Sequence, residues 1–177
     1  FPVKEDGKSE LLEKENTFDI CLPSGCGPRH LCFAPNGKHA YLLTELSGEV
    51  IGLSYDEAGF DTIQHIKADT LDARGSADIH LSPDGKFLYA SNRLKGDGIA
   101  IFEVSSEDGT LDKVGYQPTG IHPRHFNIPP NGKYLLVACL DTNEIQRYER
   151  EEESGLLKDT GKRIKMSKPV CVQFLPY

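Results

Sequence analysis

Three arginines, one glutamate and a group of histidines stand at recurring positions in this 177-residue chain, and between them they offer anion binding and proton transfer. Arg29 and Arg124 each sit in a Pro-Arg-His triplet, Pro28-Arg29-His30 and Pro123-Arg124-His125, while Arg93 closes the run Ala90-Ser91-Asn92-Arg93. A guanidinium is permanently charged and presents a planar fork of donors that matches a carboxylate or a phosphate. The chain as a whole carries a formal charge of −7, so a local cluster of such forks points to a small anionic ligand. Glu45 is either their paired counter-charge or a general base, and His30, His80 and His125 are suited to shuttle protons near neutral pH. The first two arginines, Arg29 and Arg93, read more strongly as ligand-binding than Arg124 does.

These residues are comparable because each belongs to a repeat. The segment from Pro28 to Lys38 returns as Pro123 to Lys133, with Ser76 to Lys86 between them. The turn prolines Pro35, Pro83 and Pro130 recur at spacings of 48 and 47 residues. In each Pro-Asn/Asp-Gly, proline presets φ, Asn or Asp tolerates the left-handed region and Gly accepts positive φ, so each should join two strands. Short β-rich runs follow, Ala40 to Thr44, Phe87 to Ser91 and Tyr134 to Ala138, which read as nearly fully buried strands. A third strand comes next in each unit, Glu49 to Ser54, Gly98 to Val104 and Glu144 to Glu149; an acidic, glycine-containing loop then leads to a more polar fourth.

Four antiparallel strands in under 50 residues make a propeller blade, so the fold class is all-β, a partial β-propeller. The expected units are 21–70, 71–118 and 119–164. Residues 1–20 read as the outer end of a preceding blade, and 165–177 as the inner strand of a closing one. At a period near 47 the chain holds about 3.8 repeats, few for a ring of 4–8 blades. Phe1 is not a natural start, since the only methionine is Met166. The remaining blades are therefore expected from sequence upstream, or from a second copy covering the open blade edges. An open β-sandwich also shows many short strands with regular turns, but a Pro-Arg-His motif at a fixed distance from its turn favours the propeller.

Counting from each turn proline aligns the blades. Six residues before it stand Arg29, Ala77 and Arg124; five before, His30, Asp78 and His125; three before, Cys32, His80 and Asn127; ten after, Glu45, Arg93 and Leu140. The apolar positions agree between copies and these do not, as expected if equivalent slots take different roles in one axial site. Asp78 and His80 are expected to alternate in facing, so that at most one points at a ligand. The Pro-Arg-His triplets have a second reading, in which histidine and arginine only tie one blade to the next.

Other chemistry is less well supported. Gly25-Cys26-Gly27 has no helix after it, which weakens a phosphate-cradling reading. No Gly-x-Ser-x-Gly elbow is present. The histidines lack short metal-ligand spacings, so no metal or other cofactor is expected, although His30, His80, His122 and His125 gather near one face and leave a metal open. Cysteines at buried strand positions are most simply small hydrophobes. The acidic balance argues against nucleic acid as a partner. The longest apolar run, Tyr134 to Leu140, is far short of the roughly 20 residues a membrane helix needs. Five cysteines with no CxxC pair suggest neither a disulfide framework nor a zinc ribbon, and place the chain in a reducing cytoplasm.

Taken together, Gly27-Pro28-Arg29-His30, Thr44-Glu45-Leu46, Ala77-Asp78-Ile79-His80, the run Ser82 to Arg93, Pro123-Arg124-His125-Phe126 and Pro169-Val170-Cys171-Val172 resemble the seven-bladed propeller lactonases. That family includes 6-phosphogluconolactonases of the propeller type and fungal carboxy-cis,cis-muconate cyclases. The resemblance implies the C-terminal half of the ring, about 3.5–4 blades of seven, with a metal-independent site in the channel. Arg29, Glu45 and Arg93 match the family's arginine-glutamate-arginine set, and His30 is the histidine beside it. Arg124, His125, His80 and Asp78 are then expected to contact substrate. The family's further catalytic histidine belongs to an upstream blade, with no counterpart here. The implied activity is hydrolysis of a sugar-acid lactone; the alternatives are a carboxymuconate-type cycloisomerase and a non-catalytic binding propeller.

Overall fold

The computed structural model describes residues 18–175, and of the stretch 1–20 that reads as the end of an earlier blade residues 1–17 lie outside them. The described residues form twelve strands and no helix, hence none long and apolar enough to cross a membrane. The first sheet is β1 (Pro28–Phe33), β2 (His39–Thr44), β3 (Glu49–Asp56) and β4 (Gly59–Lys67). The second is β5 (Ser76–Leu81), β6 (Phe87–Asn92), β7 (Gly98–Val104) and β8 (Leu111–Pro118). The third is β9 (Pro123–Asn127), β10 (Tyr134–Cys139), β11 (Glu144–Arg150) and β12 (Leu157–Lys165). Each is an antiparallel meander in sequence order, and the first strands β1, β5 and β9 are neighbours across the sheets. This is the partial propeller the repeat predicts.

The turns form for a reason only partly visible in sequence. Gly37, Gly85 and Gly132 do take positive φ, between 66 and 70°. The Asn or Asp before each does not; its side chain instead accepts a hydrogen bond from the backbone two residues on, Asn36 from Lys38, Asp84 from Lys86 and Asn131 from Lys133. An acceptor that caps its own turn satisfies a backbone donor that no ladder reaches.

The second strands of the first two sheets are buried on both faces because those sheets are packed on both sides, whereas in β10 Tyr134 and Leu136 stay half-buried. Tyr41 and Leu43 of β2 join Ile79, Leu88 and Phe102 in a core between the first two sheets. Ala40 and Leu42, pointing the other way, pack with Ile51 and Leu53. Phe87, Tyr89 and Ile101 meet Phe126, Val137 and Tyr148 between the second and third sheets. Two buried tyrosines pin neighbouring sheets: Tyr41 donates to the carbonyl of Gly109, and Tyr89 to that of Gly155, each at 2.8 Å. Those glycines belong to the acidic loops, and a Cβ on Gly109 would lie 2.6 Å from the His39 ring. Removing the Tyr41 hydroxyl leaves a buried carbonyl short of a donor, so Tyr41→Phe should lower stability by about 1–2 kcal/mol, read from urea denaturation midpoints.

Candidate active site

The candidate site grows from an irregularity repeated in every first strand. The pairing of β1 with β2 slips between Pro28 and His30, that of β5 with β6 between Ser76 and Ile79, and that of β9 with β10 at Pro123 to His125. In each case one extra residue stands on the first strand, at the slot of Arg29, Ala77/Asp78 and Arg124. A bulge bends the strand and re-aims its side chains, which lets consecutive residues reach one neighbourhood instead of opposite faces.

Two arginines converge on one carboxylate. Arg29 Nη1 donates to Glu45 Oε2 at 3.2 Å and Arg93 Nη2 donates to Glu45 Oε1 at 2.5 Å. Arg29 Nε also donates to the carbonyl of Ala77 at 2.7 Å, and Arg93 Nε to that of Gly75 at 2.8 Å. Arg93 is buried, with its side chain 6% exposed, whereas Arg29 and Glu45 are partly open at 21% and 33%. Burial pulls the Arg93 pKa below arginine's ordinary value; the Glu45 hydrogen bond opposes this, and the nearby charges of Arg29 and Arg124 add to it. Arg124 is half-buried, and no hydrogen-bond partner for its guanidinium is found among the described residues. Two fixed cations thus share one carboxylate, with Arg124 near enough to act on Arg93, and the surplus positive charge is what an anionic ligand would neutralise. Each Glu45 oxygen accepts from one guanidinium, the arrangement of a paired counter-charge.

The histidines gather around a second carboxylate. Asp78, 2% exposed, accepts from His30 Nδ1 at 2.7 Å on Oδ1. Its Oδ2 accepts from His80 Nε2 at 3.1 Å and from the Phe126 backbone N at 3.1 Å, with His125 Nε2 at 3.7 Å. Burial alone would raise the Asp78 pKa, but the His80 hydrogen bond and charge, His125 and the Phe126 amide hold it at about 2. The expectation that Asp78 and His80 face different ways is wrong, because residues two apart on a strand share a face. Asp78 is covered by histidines from its own strand and both neighbours, and it stands behind them. His30, 43% exposed at its side chain, is the member of the cluster most open to a ligand.

Asp78, His80 and His125 lie within metal-ligand distance of one another. The donor set does not suit an ion. The Val172 backbone N donates to His125 Nδ1 at 3.3 Å, so the ring proton sits on Nε2, the atom a metal would need free. Burial lowers the His125 pKa, with Asp78 opposing the effect and His80 and His30 adding to it. The residue run 169–175 forms no ladder; it lies beside β9, where Asn127 Nδ2 donates to the carbonyl of Val172 at 3.0 Å. The Gly25-Cys26-Gly27 segment is a turn whose Cys26 and Gly27 carbonyls accept from the backbone of residues 45–47. Cys32 is half-buried and its thiol is pushed up to about 12 by desolvation and by Asp78, so it is no nucleophile.

One residue of this neighbourhood enters the sequence reading only among the histidines that leave a metal open. His122 faces Arg93, its Nε2 3.0 Å from Nη1. The signal was available: His122 immediately precedes Pro123-Arg124-His125, where the first repeat has Gly27, and both residues take positive φ, 63° and 68°. A histidine in a glycine's backbone position is uncommon enough to ask for a reason.

The family model of the seven-bladed β-propeller lactonases matches residues 1–174. The chain belongs to that family. Among its lactonase relatives, a 6-phosphogluconolactonase of Formosa agariphila is 40% identical over 182 residues, covering 100% of this chain and 51% of the relative. A solved structure of a proposed 6-phosphogluconolactonase from Bacteroides uniformis is 62% identical with a TM-score of 0.89, over 93% of this chain and 50% of that one. The periplasmic gluconolactonase of Pseudomonas aeruginosa is 30% identical with a TM-score of 0.83, over 89% and 45%. The chain therefore spans about half the length of the curated lactonases it matches.

Proposed function

We propose that the full-length protein hydrolyses a sugar-acid lactone carrying an anionic group, with 6-phosphogluconolactone the first candidate. The observation that carries the reading is the convergence of Arg29 and Arg93 on Glu45, with Arg124 close enough to perturb Arg93. Family membership supports it, and so do relatives that bear a lactonase name.

In the proposed reaction Arg29 and Arg93, oriented by Glu45, stabilise the oxyanion that forms when water adds to the lactone carbonyl. Fixed donors of this kind commonly contribute about 3–4 kcal/mol each. His30 is the base: Asp78 takes its Nδ1–H, leaving the Nε2 lone pair for the attacking water. His30 receives the water's proton, the bond from the carbonyl carbon to the ring oxygen breaks, and the same proton passes to the departing alkoxide. The products are a hydroxyl and a carboxylic acid, which ionises to the carboxylate by releasing its proton to solvent. Arg124 holds the substrate's phosphate, His80 and His125 keep Asp78 in place, and no step requires a cofactor. The free cysteines, Cys21 and Cys171 among them exposed, support a reducing, cytoplasmic location for this protein, in contrast to its periplasmic Pseudomonas relative.

The full-length protein should be assayed on 6-phosphogluconolactone, on the lactone without phosphate and on a carboxymuconate. We expect Arg124→Ala to raise KM for the phosphorylated lactone about tenfold with kcat retained, and to leave the unphosphorylated lactone untouched. Turnover of the muconate alone would move the reading to a cycloisomerase, and turnover of none of the three would end the enzymatic reading.

A further inference from the structure

Every nitrogen of the Arg93 side chain has a partner, and one of those partners plays no part in the reaction above. Nε is bound to Gly75 and Nη2 to Glu45, while Nη1 lies 3.0 Å from His122 Nε2. A guanidinium has only donors, so Nη1 donates and His122 Nε2 offers a lone pair. The single ring proton is then on Nδ1, where Asp141 Oδ2 accepts it at 3.0 Å. Lys168 Nζ donates to the other Asp141 oxygen at 2.7 Å. A continuous polar chain runs from Glu45 through Arg93, His122 and Asp141 to Lys168, crossing all three sheets. The backbone is set for it: His122 has a φ of 63°, its N–H donates to Asp97 Oδ1 at 2.6 Å, and its carbonyl accepts from Leu140 N at 3.0 Å.

We propose that His122 is a positioning residue for Arg93: in its neutral Nδ1–H form it fixes the guanidinium toward the oxyanion, and uptake of a second proton releases it and slows turnover. The inference rests on the lactonase reading of Arg93. The charged groups facing the ring are Arg93, with Glu45 and Arg124 beyond it, Asp97 at its backbone, and Asp141 with Lys168 on the far side. A second ring proton would set N–H against N–H at Arg93. Asp141 is already shared with Lys168 and offsets that conflict only in part.

The test compares His122→Gln with His122→Ala in the full-length protein, across the pH range, with circular dichroism as the folding control. Glutamine puts an acceptor at the reach of Nε2 but does not titrate. His122→Gln should keep kcat/KM within about threefold at high pH and lose less activity than wild type as pH falls, whereas His122→Ala should lose about 10–100-fold at high pH, mostly in kcat, with its gap to wild type narrowing as pH falls. Equal losses in both folded variants, or no loss in His122→Ala, would overturn the proposal. Should the wild type hydrolyse no lactone, the functional reading fails by itself, and the inference is then judged on the 15N shifts of the His122 ring: a proton on Nδ1 upholds the hold on Arg93, and one on Nε2 rejects it.

Discussion

Replacing Arg93 with methionine should lower kcat/KM of the full-length protein on its lactone by about 10²–10³, with stability changed by roughly 1 kcal/mol. Arg93 is the less exposed of the two guanidiniums on Glu45 and is held on three sides, by Gly75, Glu45 and His122. A donor fixed before the substrate arrives costs no reorganisation when charge develops on the carbonyl oxygen. Methionine fills the buried volume. Glu45 keeps Arg29, and the Gly75 carbonyl keeps its bond from the Arg93 backbone N at 3.1 Å. The loss should therefore appear in turnover and not in folding. Lysine should not rescue it, because a point charge cannot reach Gly75, Glu45 and His122 at once. Activity within threefold of wild type would remove Arg93 from the reaction.

Asp78→Asn should have the second large effect, a fall in kcat of about 10²–10⁴. An amide in place of the carboxylate turns a donor toward at least one of its present donors, His30, His80 and the Phe126 amide, and His30 loses the partner that fixes its tautomer. Stability should respond as well. The folded-state pKa of Asp78 is about 2, against an ordinary value of 3.8, so the fold favours the charged form. That stabilisation is fully present above pH 4, fades as pH falls toward 2, and is absent below it. Its size is about 2 kcal/mol. Urea midpoints of wild type and Asp78→Asn should accordingly draw together between pH 4 and pH 2. Parallel curves over that interval would show that the Asp78 charge does not support the fold.

Much of this was legible beforehand because a repeat exposes its own variation. Spacings of 48 and 47 residues reveal the blades, and aligning them isolates Arg29, Glu45, Arg93, Asp78 and the histidines as the slots that differ. The structure adds that the period is also the contact distance along the chain. Arg29 with Ala77, His30 with Asp78, Glu45 with Arg93, and Asp78 with Phe126 are each bonded across 48 residues. Stacking one sheet on the next brings like positions side by side, so residues one repeat apart become partners.

Asp78 and His80 share a face against expectation, and His122, expected near the other histidines, meets Arg93 instead. Alternation itself puts residues two apart, Asp78 and His80, on one face, and the bulges at Pro28–His30, Ser76–Ile79 and Pro123–His125 bring the residues beside them to the same place. Amino-acid order alone determined the blade architecture, the turns and which charges occupy the inner strands, because periodic burial and turn chemistry act over a few residues. Which guanidinium meets which carboxylate, and that Asp78 backs the histidines, was decided by the stacking of sheets, since hydrogen bonding depends on angles that only three packed blades fix.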